Sequence, residues 1–274
     1  MRAIRRDAAR TAVGACDRSR RTRIASHIDE GERMNWGIRM RTAVVAAALS
    51  ASASAIAAGS AVEPGRYLYV EGGSAHGVLT VKGSTFTVET IGGNCHTCSL
   101  SGTLKGRVGV VNDGDKVCRI AVSGGQGVVK LDASGSDACR DYCGMRASFD
   151  GEYRRPPAAC TDRSRAVRTE QSHKQYAARD YDAARATLIS LLAECGGFMD
   201  WIEQDRAKSD LALTEYHRGD HARCVAALSD TVAYRAQQEH SDSFGLPPCD
   251  ADNYRSTGDA ILHNLALCQT PAKR

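Results

Sequence analysis

The stretch Val78-Leu79-Thr80-Val81-Lys82-Gly83-Ser84-Thr85-Phe86-Thr87-Val88-Glu89-Thr90 decides the fold of half this chain. Thr85 to Thr90 alternates polar and apolar residues, the period of a strand with one buried face. Lys82-Gly83-Ser84 supplies the turn before it, and Gly92-Gly93-Asn94 the turn after. Working outward, Tyr67 to Val70 precedes this pair. Ser99 to Leu104, Val108 to Val111, Cys118 to Val122, Val128 to Leu131 and Ala147 to Tyr153 follow. Eight short β-rich runs separated by Gly, Asn, Asp and Ser predict an antiparallel meander. Closing it into a barrel removes the exposed strand edges; a sandwich is the alternative. Its large rings are few, Phe86 and Phe149 with some tyrosines, so extra covalent support is expected.

Arg154-Arg155-Pro156-Pro157 ends this pattern and marks a boundary. Beyond it the periodicity is helical. Helices are expected over Asp162–Arg179, from Tyr181 through Cys195, from Asp200 to Gly219, over His221–Arg235 and over Asp259–Cys268, with Pro247-Pro248 in a loop. Ala184, Leu188, Leu191 and Cys195 recur at spacings of three and four. The fold class is therefore multidomain, all-β plus all-α: a barrel over 62–157 and a helical domain over 158–274.

Residues 39–58 have the pattern of an export signal. Arg39-Met40-Arg41 precedes an Ala- and Val-rich run, and Ala55-Ile56-Ala57 supplies a cleavage pattern. The run is too short and too serine-rich for a membrane span of about 20 apolar residues, so no stable span is expected after cleavage. Residues 34–58 read as the signal peptide, with Met34 or Met40 as the expected start, and 1–33 as a disordered leader or an over-extended start. Residues 1–41 carry 11 of the 36 basic groups and 5 of the 32 acidic ones, which leaves 42–274 at a net charge of −2. The mature chain lacks the basic excess that nucleic acid demands, so no nucleic-acid partner is expected.

Of the eleven cysteines, Cys16 lies in the leader. Six (Cys95, Cys98, Cys118, Cys139, Cys143, Cys160) group with the glycine-rich half and four (Cys195, Cys224, Cys249, Cys268) with the helical half. In an exported chain all ten are expected in disulfides. The even split predicts bridges closed within each domain, though six cysteines still allow 15 pairings and four allow 3. The localisation expected is periplasmic or secreted.

Cys95-His96-Thr97-Cys98 admits a second chemistry. A C-x-x-C pair can be a redox dithiol, which would make the chain a periplasmic thiol–disulfide oxidoreductase. The motif lies between strands, without the βαβ surroundings of that chemistry, so bridging is the preferred reading. Ser99 stands where haem attachment needs histidine. Cys95 and Cys98 with Cys139 and Cys143 have the composition of a zinc site, against which stand the wide spacing and an oxidising compartment.

His217 and His221 are four apart, but Gly219 between them points to two exposed histidines flanking a turn. Asp180, Asp182, Glu194, Asp200, Glu203, Asp205 and Asp210 read as solvated helix faces. Gly124-Gly125-Gln126-Gly127 reads as a β-turn. Gly-x-Ser-x-Gly, His-Glu-x-x-His and phosphate-loop motifs do not occur. No catalytic residue, metal or cofactor is assigned.

Tyr176-Ala177-Ala178-Arg179-Asp180-Tyr181-Asp182-Ala183-Ala184 aligns with Tyr216-His217-Arg218-Gly219-Asp220-His221-Ala222-Arg223-Cys224 at an offset of 40. Helix, turn with Asp, then helix resembles tetratricopeptide repeats, whose usual period is 34; the family's Trp and Pro landmarks are absent. The resemblance implies a stack of α-hairpins with a groove and names no ligand; an ordinary helical bundle is the alternative. In a binding protein such a groove would take a protein or peptide. The other half, with its export signal, antiparallel barrel and cysteines, resembles small periplasmic lysozyme inhibitors. No inhibitor motif transfers residue by residue. The function expected is that of a non-catalytic binding protein of the bacterial envelope.

Overall fold

A computed structural model describes residues 62–270, all within one compact unit. The expected export signal, leader and Cys16 lie outside the described residues. Eight antiparallel strands close a barrel in chain order: β1 (Gly65–Tyr69), β2 (Gly77–Lys82), β3 (Thr85–Ile91), β4 (Thr97–Lys105), β5 (Val108–Asp113), β6 (Lys116–Gly125), β7 (Val128–Asp132) and β8 (Gly151–Arg154). The seam between β1 and β8 is narrow, with Leu68 opposite Arg154 and Tyr69 opposite Tyr153. Arg155, just past it, reinforces the seam: its guanidinium donates to the Tyr67 hydroxyl at 2.8 Å and to the Pro64 carbonyl at 3.0 Å.

The alternation of β3 is read out directly, with Phe86, Val88 and Thr90 buried and the residues between them exposed. With Tyr67, Leu79, Val81, Leu100, Ile120, Val122, Val129, Leu131 and Tyr153, Phe86 and Val88 form one core. Gly102 and Gly109 leave room for the Phe86 ring: a Cβ on Gly102 would stand 2.4 Å from the Val110 carbonyl oxygen and 2.9 Å from that ring. What remains inside is a cavity of about 10 Å³, at the lower limit for one water. The barrel is thus a packed core and not a ligand cup. The strand expected over Ala147–Tyr153 starts only at Gly151, because Gly144 to Asp150 belongs to a loop fastened elsewhere.

The helical part comprises α1 (Asp162–Ala177), α2 (Tyr181–Cys195), α3 (Trp201–His217), α4 (His221–Leu228), α5 (Val232–Gln238) and α6 (Pro248–Gln269). The 40-residue echo is a structural one. Arg179 and Gly219 take the same left-handed conformation between helices, with φ of 62° and 80°. Asp180 and Asp220 then cap the next helix by accepting from Ala183 N–H and Arg223 N–H. Ala184 and Cys224, and Leu188 and Leu228, occupy matching buried positions.

Two helix boundaries differ from expectation. The fourth helix breaks at Ser229-Asp230-Thr231, where the Thr231 hydroxyl caps α5 and buried Asp205 accepts Val232 N–H at 2.9 Å. The last helix begins at Pro248, not near Asp259. Proline is compatible with a first helical position because its missing N–H has no intrahelical partner there. Tyr254 ties this helix down: its hydroxyl donates to Asp205 at 2.7 Å and accepts from Ala233 N–H at 3.0 Å. Burial, then the Asp205 carboxylate, push the Tyr254 hydroxyl pKa up. Phe244 fits over Gly258, where a Cβ would approach its ring to 2.5 Å.

The ten cysteines form five disulfides: Cys95–Cys249, Cys98–Cys143, Cys118–Cys139, Cys160–Cys195 and Cys224–Cys268. The expectation of bridges confined to each half fails twice. Cys160 stands past the proline pair and bonds to α2. Cys95 reaches from the barrel to α6. Closing that 154-residue separation removes about 5 kcal/mol of unfolded-chain entropy in the loop-closure picture. Further contacts join the two halves: Ala75 N–H donates to the Met199 carbonyl at 2.7 Å, Gln204 Nε2 to the Gly73 carbonyl at 3.2 Å, and Arg66 pairs with Asp162 at 2.8 Å.

Gly102→Ala is expected to destabilise the chain by about 1–3 kcal/mol through overpacking against Val110 and Phe86. Tyr254→Phe is expected to cost about 2 kcal/mol, because it removes a hydrogen bond to a buried carboxylate. Urea unfolding of the oxidised protein measures both.

Candidate functional site

Two-residue turns dominate the barrel, joining β2 to β3, β4 to β5, β5 to β6 and β6 to β7. The connection from β7 to β8 is not of this kind. Residues 133–150 leave the barrel, pass through a short 3-10 helix over Asp137–Tyr142 and return. Long irregular connections on a rigid scaffold are where binding function concentrates.

This loop is braced from end to end. Cys139 bonds to Cys118 of β6, and Cys143 to Cys98 of β4. Ala133 N–H donates to the Asp150 carboxylate at 2.7 Å and so closes the base. The Ser134 hydroxyl and amide hold Asp132 below the usual carboxylate range. Phe149 is buried as an anchor, while the Thr90 hydroxyl donates to the Ser148 carbonyl at 2.8 Å. Lys116 pairs with Asp141 at the surface, and that hydrogen bond raises the lysine pKa.

The far arm is the most constrained part. Gly144 N–H donates to the Thr97 carbonyl at 2.9 Å, and Ala147 N–H to the Gly144 carbonyl at 3.0 Å, which closes a turn around Met145-Arg146. Gly93 N–H donates to the Arg146 carbonyl at 3.1 Å. Gly92 lies flat against this turn: a Cβ there would stand 2.0 Å from the Arg146 carbonyl oxygen. The turn projects Met145 with its side chain 95% exposed, next to exposed Arg146. Between the two arms lies a half-open groove of about 630 Å³, lined by Ser134, Ser136, Arg140, Met145, Ser148 and Asp150 among others.

The residues singled out in the sequence distribute differently. Cys95 and Cys98 are not bonded to each other, so the dithiol pair that redox catalysis requires does not form. Cys95, Cys98, Cys139 and Cys143 are all consumed in disulfides, which removes the thiolates of the suggested zinc site. Among the described residues no group of His, Cys, Asp and Glu is placed to hold a metal. His217 is exposed and stacks on Tyr181, with ring centroids 5.2 Å apart. His221 is half-buried, not exposed, and lies 3.0 Å from the Cys268 carbonyl. Gly219 ends α3 between them, as the sequence implied.

Several carboxylates read as solvated are structural. Asp205 is buried, Asp180 and Asp200 cap helices, and Glu203 pairs with buried Arg165 at 2.8 Å. The sequence patterns did not single out Met145. The signal available was a lone large apolar residue among Gly, Arg and Ser beside a cysteine.

The chain matches no family model, no curated protein and no solved structure. None of these comparisons supports the likeness to tetratricopeptide repeats or to small periplasmic inhibitors. No described helix is long and apolar enough to cross a membrane.

Met145→Ala is expected to change stability by less than about 0.5 kcal/mol, as an exposed side chain should. Gly92→Ala is expected to displace the turn, with faster amide hydrogen exchange at Gly93, Gly144 and Ala147. Unchanged protection at those three amides would show that the turn is not held by this approach.

Proposed function

We propose that this chain is an exported, non-catalytic binding protein of the bacterial envelope, and that it engages a protein partner through the Met145 loop. The observation that carries this reading is the combination of full exposure and full bracing. Met145 contributes nothing to the core, yet the turn that displays it is held by a disulfide and by hydrogen bonds to two neighbouring segments. Rigidity bought in advance reduces the ordering cost of association, and a methionine adapts its shape to an apolar pocket. Arg140 and Arg146 flank it with positive charge, so the complementary surface is an apolar pocket with acidic groups around it.

Export is supported by the five disulfides, which persist in oxidising compartments. Our reading of a periplasmic or secreted location is supported by these bonds and by the sequence pattern of residues 34–58. The packed barrel interior favours binding at the outer surface and loops over enclosure of a small molecule.

The test is site-specific photo-crosslinking in intact cells. A photoreactive residue at Met145 is expected to give a discrete protein adduct, lost when Arg140 and Arg146 are both changed to Ala. The same label at Asp252, on the exposed side of α6, should give none. No adduct at 145, or equal adducts at both positions, would sink the reading.

A second reading takes lysozyme as the partner, favoured by the closed eight-strand barrel with one projecting loop. In that case micromolar protein should slow lysozyme-driven clearing of a cell-wall suspension, and Met145→Asp should abolish the effect. Clearing at the uninhibited rate ends this version without touching the broader one.

A further inference from the structure

The turn after β3 and the start of α6 complete one another. Asn94 and Cys95 are consecutive non-glycine residues in the left-handed region, with φ of 57° and 55°. This conformation aims both amides at one carboxylate. Asn94 N–H donates to Asp250 at 2.7 Å and Cys95 N–H at 3.2 Å. In return the Asn94 side-chain oxygen accepts Cys249 N–H at 3.1 Å. Pro247, the residue at the N-cap of α6, makes no side-chain cap. Asn94 serves in its place, and the disulfide Cys95–Cys249 clamps the junction.

That disulfide differs from the other four. In Cys118–Cys139, Cys160–Cys195 and Cys224–Cys268 both residues are buried, and in Cys98–Cys143 one is. Cys95 and Cys249 are both half-exposed. Their two sulfurs also differ in environment. Cys249 lies in the first turn of a 22-residue helix, where the helix dipole stabilises a thiolate. Cys95 Sγ lies 3.7 Å from an Asp250 carboxylate oxygen, whose charge disfavours a thiolate there and is offset in part by one neutral hydrogen bond from Asn253 Nδ2 at 3.2 Å. The better leaving group is therefore Cys249.

We propose that Cys95–Cys249 is a thiol-exchange site for an external dithiol reductant, and that its reduction unlatches α6 from the barrel. The reductant's thiolate attacks Cys95 Sγ. The sulfur–sulfur bond breaks and its electron pair leaves on Cys249 as a thiolate, which takes a proton from water. The reductant's second thiolate then attacks the mixed disulfide and releases Cys95, also protonated by water. The dithiol ends as a disulfide and the chain gains two thiols. The remaining four bridges keep each half folded. The barrel turn then holds α6 through the hydrogen bonds of Asp250, Asn94 and Asn253 alone, without its covalent clamp. Gly93, next in the chain, donates to the Arg146 carbonyl, so the same event loosens the Met145 turn. That last consequence rests on the binding role proposed for the Met145 loop; the unlatching itself does not.

The experiment uses the full exported chain without any partner. Limiting dithiothreitol, an iodoacetamide quench and peptide mass mapping are expected to label Cys95 and Cys249 at least tenfold faster than any other cysteine. Reduced glutathione in place of the dithiol is expected to leave its adduct on Cys95, with Cys249 free. In the singly reduced protein, amide exchange at Asn94, Cys95 and residues 249–251 should rise at least tenfold, while β6 and α2 stay protected. Co-labelling of other cysteines at the same rate, glutathione on Cys249, or unchanged exchange at the junction would each overturn the proposal. The variant Cys95→Ser with Cys249→Ser should reproduce the loosened junction; should it not fold, the singly reduced wild type decides. Crosslinking yield at Met145 that is equal in oxidised and reduced protein would remove only the coupling to binding.

Discussion

A capping box completed across two halves of the chain is the constraint on which this architecture turns. A capping box ordinarily lies within one segment: a cap side chain bonds a first-turn amide, and a first-turn acid bonds the cap's own amide. Here the cap is Asn94, on a barrel turn, and the acid is Asp250, in the first turn of α6. Neither element is finished without the other. The turn gains a reason to hold two left-handed residues, which cost energy outside glycine. The helix gains the cap that Pro247 cannot provide. The disulfide then clamps an arrangement that backbone-to-side-chain hydrogen bonds orient.

From this junction the structure can be followed in both directions. Toward the helices, α6 carries Tyr254 to Asp205, which also receives Val232 N–H, so one buried carboxylate organises α3, α5 and α6. A buried acid is tolerable when its acceptor capacity is used, and this one also faces Lys208 at 3.5 Å. Toward the barrel, Gly92 and Gly93 press against the Met145 turn. The docking of two halves and the display of one exposed methionine are therefore properties of the same four-residue segment, 92–95.

The pattern-bearing parts were legible in the sequence because a local period writes them. Thr85–Thr90 is a strand with one buried face, and the eight-strand order follows from short turns between such runs. The offset of 40 was legible because Asp180 and Asp220 cap helices after left-handed residues, a local chemistry. What was not legible is what joins distant segments. The start of α6 at Pro248 was missed because its cap lies in the barrel turn. Asp205 looked like a surface acid because its partners lie 27 and 49 residues away. The disulfide pairing failed for the same reason: counting cysteines on either side of a boundary assumes that the boundary separates them in space.

The case of Cys95-His96-Thr97-Cys98 shows why spacing alone misleads. In a helix, residues three apart share a face and their sulfurs can meet. In this segment Cys95 ends a left-handed turn, while Cys98 already points into the barrel as the second residue of β4. The alternation of the strand sends Cys98 inward to Cys143, and the turn sends Cys95 outward to α6. A motif that suggests one reactive pair is thus split by backbone geometry into two bonds with different exposure. The first, buried at Cys98, fixes the Met145 loop, and the half-exposed second joins the barrel to the helices. The exchange proposed at the second would therefore act on the connection between the halves of the chain and not on either core.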